Sequence, residues 1–138
     1  MKILVAYDGS EPSRKALDKA IEMARCSGAE LALLTVTESV CPLGVTEHEC
    51  GLMDDILRRQ TEEILGSIKK DLEVRSVAVK TMVRRGAPAE EIVRAAREES
   101  ADMIVVGSHG RHGASKLLLG SVSSRVSSLA ECSVVIIR

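Results

Sequence analysis

Short runs of unbroken apolar residues constrain the fold of this chain more than any other feature of its sequence. Residues 3–6, 31–36, 103–106 and 134–137 consist almost entirely of Ile, Leu, Val, Ala and Met. Strands without polar alternation are typical of parallel sheets, in which helices cover both faces. A fifth run, residues 77–83, contains Lys80, and this charge indicates an edge strand or a partly exposed face.

Helix signals separate these runs. Ser10 and Pro12 indicate a helix start, Gly28 a helix end, and Pro88 the first position of another helix. Residues 84–88 read as a turn. The pattern predicts a single α/β domain of order β-α-β-α-β-α-β-α-β with a parallel sheet and helices on both faces.

Residues 38–51 interrupt this rhythm and predict a long loop, because they contain Pro42 and two glycines and show no period. The helical period returns at Leu52. A stripe at helical spacing predicts one buried face, formed by Leu52, Ile56, Ile64, Leu65, Ile68 and Leu72.

Composition excludes several classes of protein. The chain has 138 residues and a net charge of -1, so no basic field indicates nucleic-acid binding. No apolar run approaches a membrane span, and no export signal precedes the first strand. We therefore expect a cytoplasmic protein whose four cysteines are reduced. Cys26 and Cys132 are expected to be buried or half-buried.

The strand at residues 103–106 leads into a glycine-rich, basic stretch with the features of an anion site. Gly107, Gly110 and Gly120 would let backbone N–H groups approach a ligand. A helix that begins after Gly120 would offer unpaired N–H donors and a favourable dipole. Further hydroxyls and charges come from Ser121, Ser123, Ser124, His109, Arg111, His112 and Lys116.

An alternative interpretation of the same stretch is a strand-to-helix connection that turns at glycines and binds no ligand. His109 and His112 have no acidic residue nearby to orient a ring, so solvated or phosphate-facing imidazoles are favoured over acid–base catalysis. Leu117, Leu118 and Leu119 are expected to pack in the core rather than contact a ligand.

The spacing Gly107-x-x-Gly110, then nine residues, then Gly120-Ser121 resembles the nucleotide-binding signature of the universal stress protein family, ATP-binding type. The opening strand and turn, residues 2–10, and the closing strand, residues 132–137, resemble the same family. The resemblance thus covers the whole chain, and residues 1–138 are expected to form one nucleotide-binding domain of this type.

The resemblance implies a five-stranded, doubly wound parallel sheet of order 3-2-1-4-5, Rossmann-like and similar to adenine nucleotide alpha hydrolases. In that order Asp8 and Gly107 meet in a crevice between strands 1 and 4. The cofactor-binding residues it implies are Ala6, Tyr7, Asp8, Val36, Gly107, Ser108, His109, Gly110, Arg111, Gly120, Ser121, Val122 and Ser123.

The implied ligand is ATP, with AMP or ADP as alternatives, accompanied by Mg or Mn. Val36 would line the adenine pocket. Asp8 would hold a ribose hydroxyl, an adenine edge or a metal on the phosphates; its bland role is an N-cap or Asx turn. No catalytic residue is assigned. A slow metal-dependent ATPase or phosphotransferase using Asp8 and a nucleotide-free interaction module remain alternatives to a nucleotide-dependent regulatory module.

Cys41, His48 and Cys50 share the irregular segment. With Glu47 or Glu49 they would make four zinc ligands, but the gap between the cysteines is not a common zinc spacing. Ordinary loop thiols are favoured, and a reversible Cys41–Cys50 disulfide stays open.

In the implied order the last strand lies at a sheet edge although it is wholly apolar. Such an edge invites pairing with another chain. We therefore expect a homodimer through the segment from Ser133 to Arg138, as the resemblance also implies.

Overall fold

A computed structural model describes residues 1–110 and 118–138. The elements are β1 (Lys2–Ala6), α1 (Glu11–Ser27), β2 (Glu30–Thr37), α2 (Glu47–Val74), β3 (Val79–Arg85), α3 (Pro88–Glu98), β4 (Met103–Gly107), α4 (Ser121–Leu129) and β5 (Ser133–Ile137). Each apolar run identified in the sequence contributes a strand, but the run at residues 77–83 begins its strand only at Val79. None of the helices in the described ranges has the length and apolar character needed to cross a membrane.

The five strands form one parallel sheet in the order β3-β2-β1-β4-β5, which confirms the predicted fold class. In register, Val5 of β1 lies beside Leu33 of β2 on one side and beside Val105 of β4 on the other. The chain therefore reverses its winding direction between β1 and β4. The carboxyl ends of these two strands open into the crevice where such sheets bind ligands.

Successive strand residues alternate between two apolar cores. On one face α1 and α2 pack on Ile3, Val5 and Val105; on the other, α3 and α4 pack on Leu4 and Ile104. These strand residues are all completely buried. Burial on both faces explains why the runs lack polar alternation.

The helix boundaries lie at the serine, glycine and proline residues that predicted them. Ser10 caps α1 by accepting a hydrogen bond from the Ser13 N–H, and Pro12 lies in the first turn. Gly28 ends the helix in the left-handed conformation, with φ 67°. Pro88 opens α3 as predicted.

The helix α2 begins at Glu47, so the prediction of a loop through residue 51 is wrong for its last five positions. Thr46 and Glu49 form a capping box, in which each side chain accepts a hydrogen bond from the other's backbone N–H. This pair starts the helix before the apolar period becomes visible at Leu52. The irregular segment is therefore residues 38–46.

The predicted apolar face of α2 is also partly wrong. Leu65 and Leu72 are buried, but Leu52, Ile56 and Ile64 are 51%, 57% and 53% exposed. Cys50 and Thr61 are buried on this helix instead. The α2 residues that join the apolar core, Leu65, Ile68 and Leu72, all lie in the second half of the helix.

Two local predictions are also corrected. Arg84 and Arg85 belong to β3 rather than to a turn: they pair in register with Val36 and Thr37, and the strand is at the sheet edge, where their charges reach Glu98 and Asp54. Cys26 is exposed because it lies off the buried face of α1, whereas Cys132 is half-buried as expected.

Candidate functional site

A cavity of about 750 Å³ lies at the carboxyl ends of β1, β2 and β4. This volume falls in the range of small-molecule sites, about 300–1,000 Å³. The walls come from the ends of these strands, the first turns of α3 and α4, and one side of α2. The cavity is therefore a product of the sheet order and coincides with the crevice expected from it.

The turn after β1 is fixed by a compact hydrogen-bond network. The Asp8 carboxylate accepts the Ser10 N–H at 2.9 Å, which is an Asx turn, and Gly9 has φ 81°. The buried Ser13 hydroxyl donates to the Ser10 carbonyl. Both roles considered for Asp8 are thus compatible, since it shapes the turn and also lines the cavity.

The turn after β4 is held by hydrogen bonds to β5 and to the start of α4. The Ser108 N–H donates to the Ile137 carbonyl at 2.7 Å, and the Ser108 carbonyl accepts from the Gly120 N–H at 2.6 Å. The Ser123 hydroxyl donates to the same carbonyl at 2.8 Å. One carbonyl therefore joins the end of β4 to the start of α4.

Two glycines are required here by close packing. A Cβ on Gly107 would lie 2.8 Å from the backbone carbonyl carbon of Pro12, and one on Gly120 would lie 2.9 Å from the Cα of His109. Both neighbours are backbone atoms, which cannot move aside as a flexible side chain can. These glycines bring α1 against β4 and α4 against the turn that follows β4.

The amino end of α4 faces the cavity. Gly120 is its N-cap and supplies no side-chain cap, so Ser121, Val122 and Ser123 carry N–H groups without an intrahelical acceptor. Ser121 is exposed and lines the cavity, whereas Ser123 is buried with its hydroxyl proton directed into the protein. This end of the helix favours an anion.

Most residues singled out from the sequence come together around this cavity. Those that line it are Ala6, Tyr7, Asp8, Val36, Gly107, His109, Gly110, Gly120, Ser121, Val122 and Ser123. Ser108 lies behind the wall, with its side chain within hydrogen-bond distance of His109 Nδ1. Arg111, together with His112, Lys116 and Leu117, lies outside the described residues.

The sequence model of the universal stress protein family matches residues 1–138. This chain belongs to that family. Over 145 residues it is 38% identical to universal stress protein YxiE of Bacillus subtilis, and the match covers 99% of this chain and 98% of the relative.

Solved structures of universal stress proteins have the same fold. A family member from Burkholderia pseudomallei superposes with a TM-score of 0.79 at 30% identity, over 99% of this chain and 94% of the other. A universal stress protein from Archaeoglobus fulgidus, solved in complex with dAMP, gives a TM-score of 0.70 at 25% identity, over 100% and 98%.

In this universal stress protein the cavity also has walls that the sequence reasoning missed. They include the neighbours of Val36 at the end of β2, the start of α3, two positions on α2 and one on α4, namely Leu34, Thr35, Thr37, Glu38, Leu57, Thr61, Pro88, Ala89, Glu90, Ile92 and Arg125. The neighbours of Val36 could have been found, because they end the same strand, which adjoins β1. Nothing in the local sequence marks the others, which reach the cavity only through the packing of α2, α3 and α4.

Leu118 and Leu119 were expected in the core, and this is wrong. They are 73% and 42% exposed and line the cavity. Both residues precede the N-cap of α4, so they are not part of the helix face that packs on the sheet through Val126.

Glu90 of α3 and Arg125 of α4 form an ion pair beside the cavity, in which the Arg125 Nε–H donates to Glu90 Oε1. This hydrogen bond holds the pKa of the Glu90 carboxyl below its usual value. The pair joins two helices of the universal stress protein fold at their cavity ends.

Cys41 and Cys50 are joined by a disulfide, so the prediction of four reduced cysteines is wrong for this pair. The capping box turns the chain at Thr46 and brings the two residues together, which decides between the possibilities left open from the sequence. A bond between the thiols leaves no thiolates for zinc. Within residues 1–110 and 118–138, no group of three His, Cys, Asp or Glu residues is arranged for a metal ion.

Proposed function

We propose that this chain binds an adenine nucleotide, foremost ATP, and acts as a nucleotide-dependent regulatory module in a stress response. The observation that carries the proposal is the cavity itself. It combines an apolar wall of Ala6, Val36 and Ile92 with a helix amino end at Ser121. An adenine ring needs the first kind of surface and a phosphate chain needs the second.

Relatives support this proposal. The Archaeoglobus fulgidus universal stress protein, 25% identical over the whole of this chain, was solved in complex with dAMP. The same class of ligand would fit a cavity of about 750 Å³ here. ATP, ADP and AMP share the adenosine part and differ in the length of the phosphate chain.

Each predicted site residue has a proposed role. Val36 and Ala6 contact the adenine ring, and Tyr7 and Asp8 lie beside the ribose. Gly107, His109 and Gly110 form the phosphate-side loop, which Ser108 supports from behind, and Arg111 neutralises phosphate charge. The N–H groups of Gly120, Ser121, Val122 and Ser123 hold phosphate. Asp8 offers the carboxylate oxygen that Mg²⁺ or Mn²⁺ on the nucleotide prefers.

Calorimetry of the purified protein with ATP and magnesium tests the proposal. We expect saturable heat with one site per chain, and release of adenine nucleotide when freshly purified protein is heat-extracted. No heat at millimolar ATP, together with no extracted nucleotide, would favour a nucleotide-free interaction module. ATP turnover of about 1 per second or more would instead show an enzyme.

We also propose that β5 joins two copies of the chain. β5 is an edge strand, and in the described part of the chain its one strand partner is β4. Val134, Val135, Ile136 and Ile137 are only half-buried. Light scattering after size exclusion should therefore give twice the mass of one chain, and a monomer at micromolar concentration would contradict the proposal.

A further inference from the structure

The ion pair of Arg125 and Glu90 lies where it can act on a ligand. Both side chains line the cavity, from α4 and α3 respectively. Both are also partly open to solvent, with side-chain exposures of 61% and 39%. Surface ion pairs of this kind contribute little to stability, about 0–1 kcal/mol, so a structural role alone gives little reason for this one.

Arg125 lies on the same side of α4 as the helix end proposed to hold phosphate. It follows Ser121 by four residues, and both line the cavity. Residues four apart lie one above the other on a helix, about 6 Å apart along the axis, and long side chains lean towards the amino end. The Arg125 guanidinium can therefore reach beyond the first turn, where a longer phosphate chain would extend.

The charges of the cavity make this guanidinium unusual. Among the lining residues that the structure describes, the carboxylates are Asp8, Glu38 and Glu90, and Arg125 is the one permanent cation. Of the N–H groups of Arg125, only the Nε–H donates a hydrogen bond to Glu90. The rest of the planar fork carries further N–H donors that suit phosphate oxygens.

We propose that Arg125 and Glu90 together select the number of phosphates on the bound nucleotide. Arg125 contacts the distal phosphates, and Glu90 competes for the same guanidinium and repels added negative charge. The inference rests on the adenine-nucleotide site proposed above and names what that site discriminates. Adenosine and AMP leave the Arg125 guanidinium to Glu90 alone, whereas the distal phosphates of ADP and ATP share it with Glu90.

Calorimetric titration of adenosine, AMP, ADP and ATP into the native protein and two variants tests the inference. Arg125→Gln should weaken ATP binding about tenfold or more, because a charge-assisted hydrogen bond is lost, and should change adenosine binding less than twofold. Glu90→Gln should do the opposite, strengthening ATP severalfold while adenosine stays unchanged.

Arg97→Gln is the matched control. Arg97 of α3 also pairs with a glutamate, Glu131, in an exposed ion pair, and neither residue lines the cavity. This variant should bind all four ligands like the native protein. If all three variants are half-unfolded at the same urea concentration as the native protein, their fold is intact.

Two results would overturn the proposed selection of phosphate number by Arg125 and Glu90 without contradicting the adenine-nucleotide site. One is an unchanged ratio of ATP to adenosine affinity in Arg125→Gln. The other is a loss of ATP affinity in Glu90→Gln that parallels the loss in Arg125→Gln, which is the behaviour of a structural brace. If the native protein binds none of the four ligands, the proposed function fails, and the proposed selection of phosphate number fails with it.

Discussion

The carboxylate of Asp8 occupies the space that a side chain on Gly110 would need. A Cβ at Gly110 would lie 2.8 Å from Asp8 Oδ2, closer than carbon and oxygen approach without strain. Asp8 cannot simply swing away, because its Oδ1 accepts the Ser10 N–H. The turns after β1 and β4 are therefore fitted to each other across the crevice.

Gly110→Ala should consequently reduce ATP affinity about tenfold, since relief of this clash must distort the turn held by Asp8 and with it the cavity wall. Calorimetry with ATP measures the effect. Gly66→Ala is the matched control: a Cβ at Gly66 meets nothing within 4 Å, and alanine is the better helix former by about 1 kcal/mol. This control should bind normally and unfold at higher urea, and equal binding by both variants would contradict the prediction.

Ser123 and Ser121 should separate stability from binding. The Ser123 hydroxyl is buried and donates to the Ser108 carbonyl, so Ser123→Ala should cost about 1–2 kcal/mol of unfolding free energy. Ser121 is exposed at the first position of α4, and Ser121→Ala should leave stability within about 0.5 kcal/mol.

The matching binding experiment uses the same two variants. Ser121→Ala should weaken ATP binding, because its hydroxyl faces the cavity. If Ser123→Ala unfolded at the native urea concentration, the role of the Ser108 carbonyl as the joint between β4 and α4 would be refuted.

The Cys41–Cys50 disulfide should stabilise the native state. The bond closes a loop with a sequence separation of 9, for which chain entropy predicts about 2–3 kcal/mol. Cys41→Ser with Cys50→Ser, or a dithiol reductant on the native protein, should lower the urea midpoint accordingly. Cys26→Ser removes an exposed free thiol and should change nothing; a native midpoint insensitive to reductant would sink the prediction.

Acid should destabilise the protein through a defined set of carboxyls. Their pKa values lie below the ordinary 4.5 because backbone or cationic donors stabilise the charged form; they are Glu49 with Thr46, Glu90 with Arg125, Glu98 with Arg84 and Glu99 with Lys80. The unfolded state takes up protons first as pH falls, so this stabilisation is complete above about 4.5 and is lost below it.

Urea midpoints measured from pH 7 down to pH 3 check this expectation. The midpoint should fall below pH 4.5, and Glu98→Gln with Glu99→Gln should make the fall shallower. Greater stability at pH 3 than at pH 6 would be the opposite sign and would exclude these pairs as the cause.

The sequence predicted the fold well because its signals are local. Apolar runs buried on both faces mark strands, and Ser10, Gly28 and Pro88 mark helix boundaries within a few residues of where they act. The strand order is not a local property, and it was expected only from the resemblance to universal stress proteins. The start of α2 was missed because Thr46 and Glu49 determine it before any apolar period begins.

The candidate site was predictable to the extent that it follows the ends of β1 and β4. Glu90 and Arg125 lie 35 residues apart in sequence, on two helices, and only the packing of α3 on α4 brings them together. Leu118 and Leu119 were misassigned because an apolar triplet predicts burial whether or not a core is within reach. The cytoplasmic localisation and the contacts of Arg111 stay predictions.

Tyr7 is the one aromatic residue in a chain without Trp or Phe, and it lines the cavity. The intrinsic fluorescence of the whole protein therefore comes from a single phenol beside the candidate site. No other emitter dilutes the signal, so any ligand that changes the surroundings of this ring reports itself optically, without a dye or an engineered label.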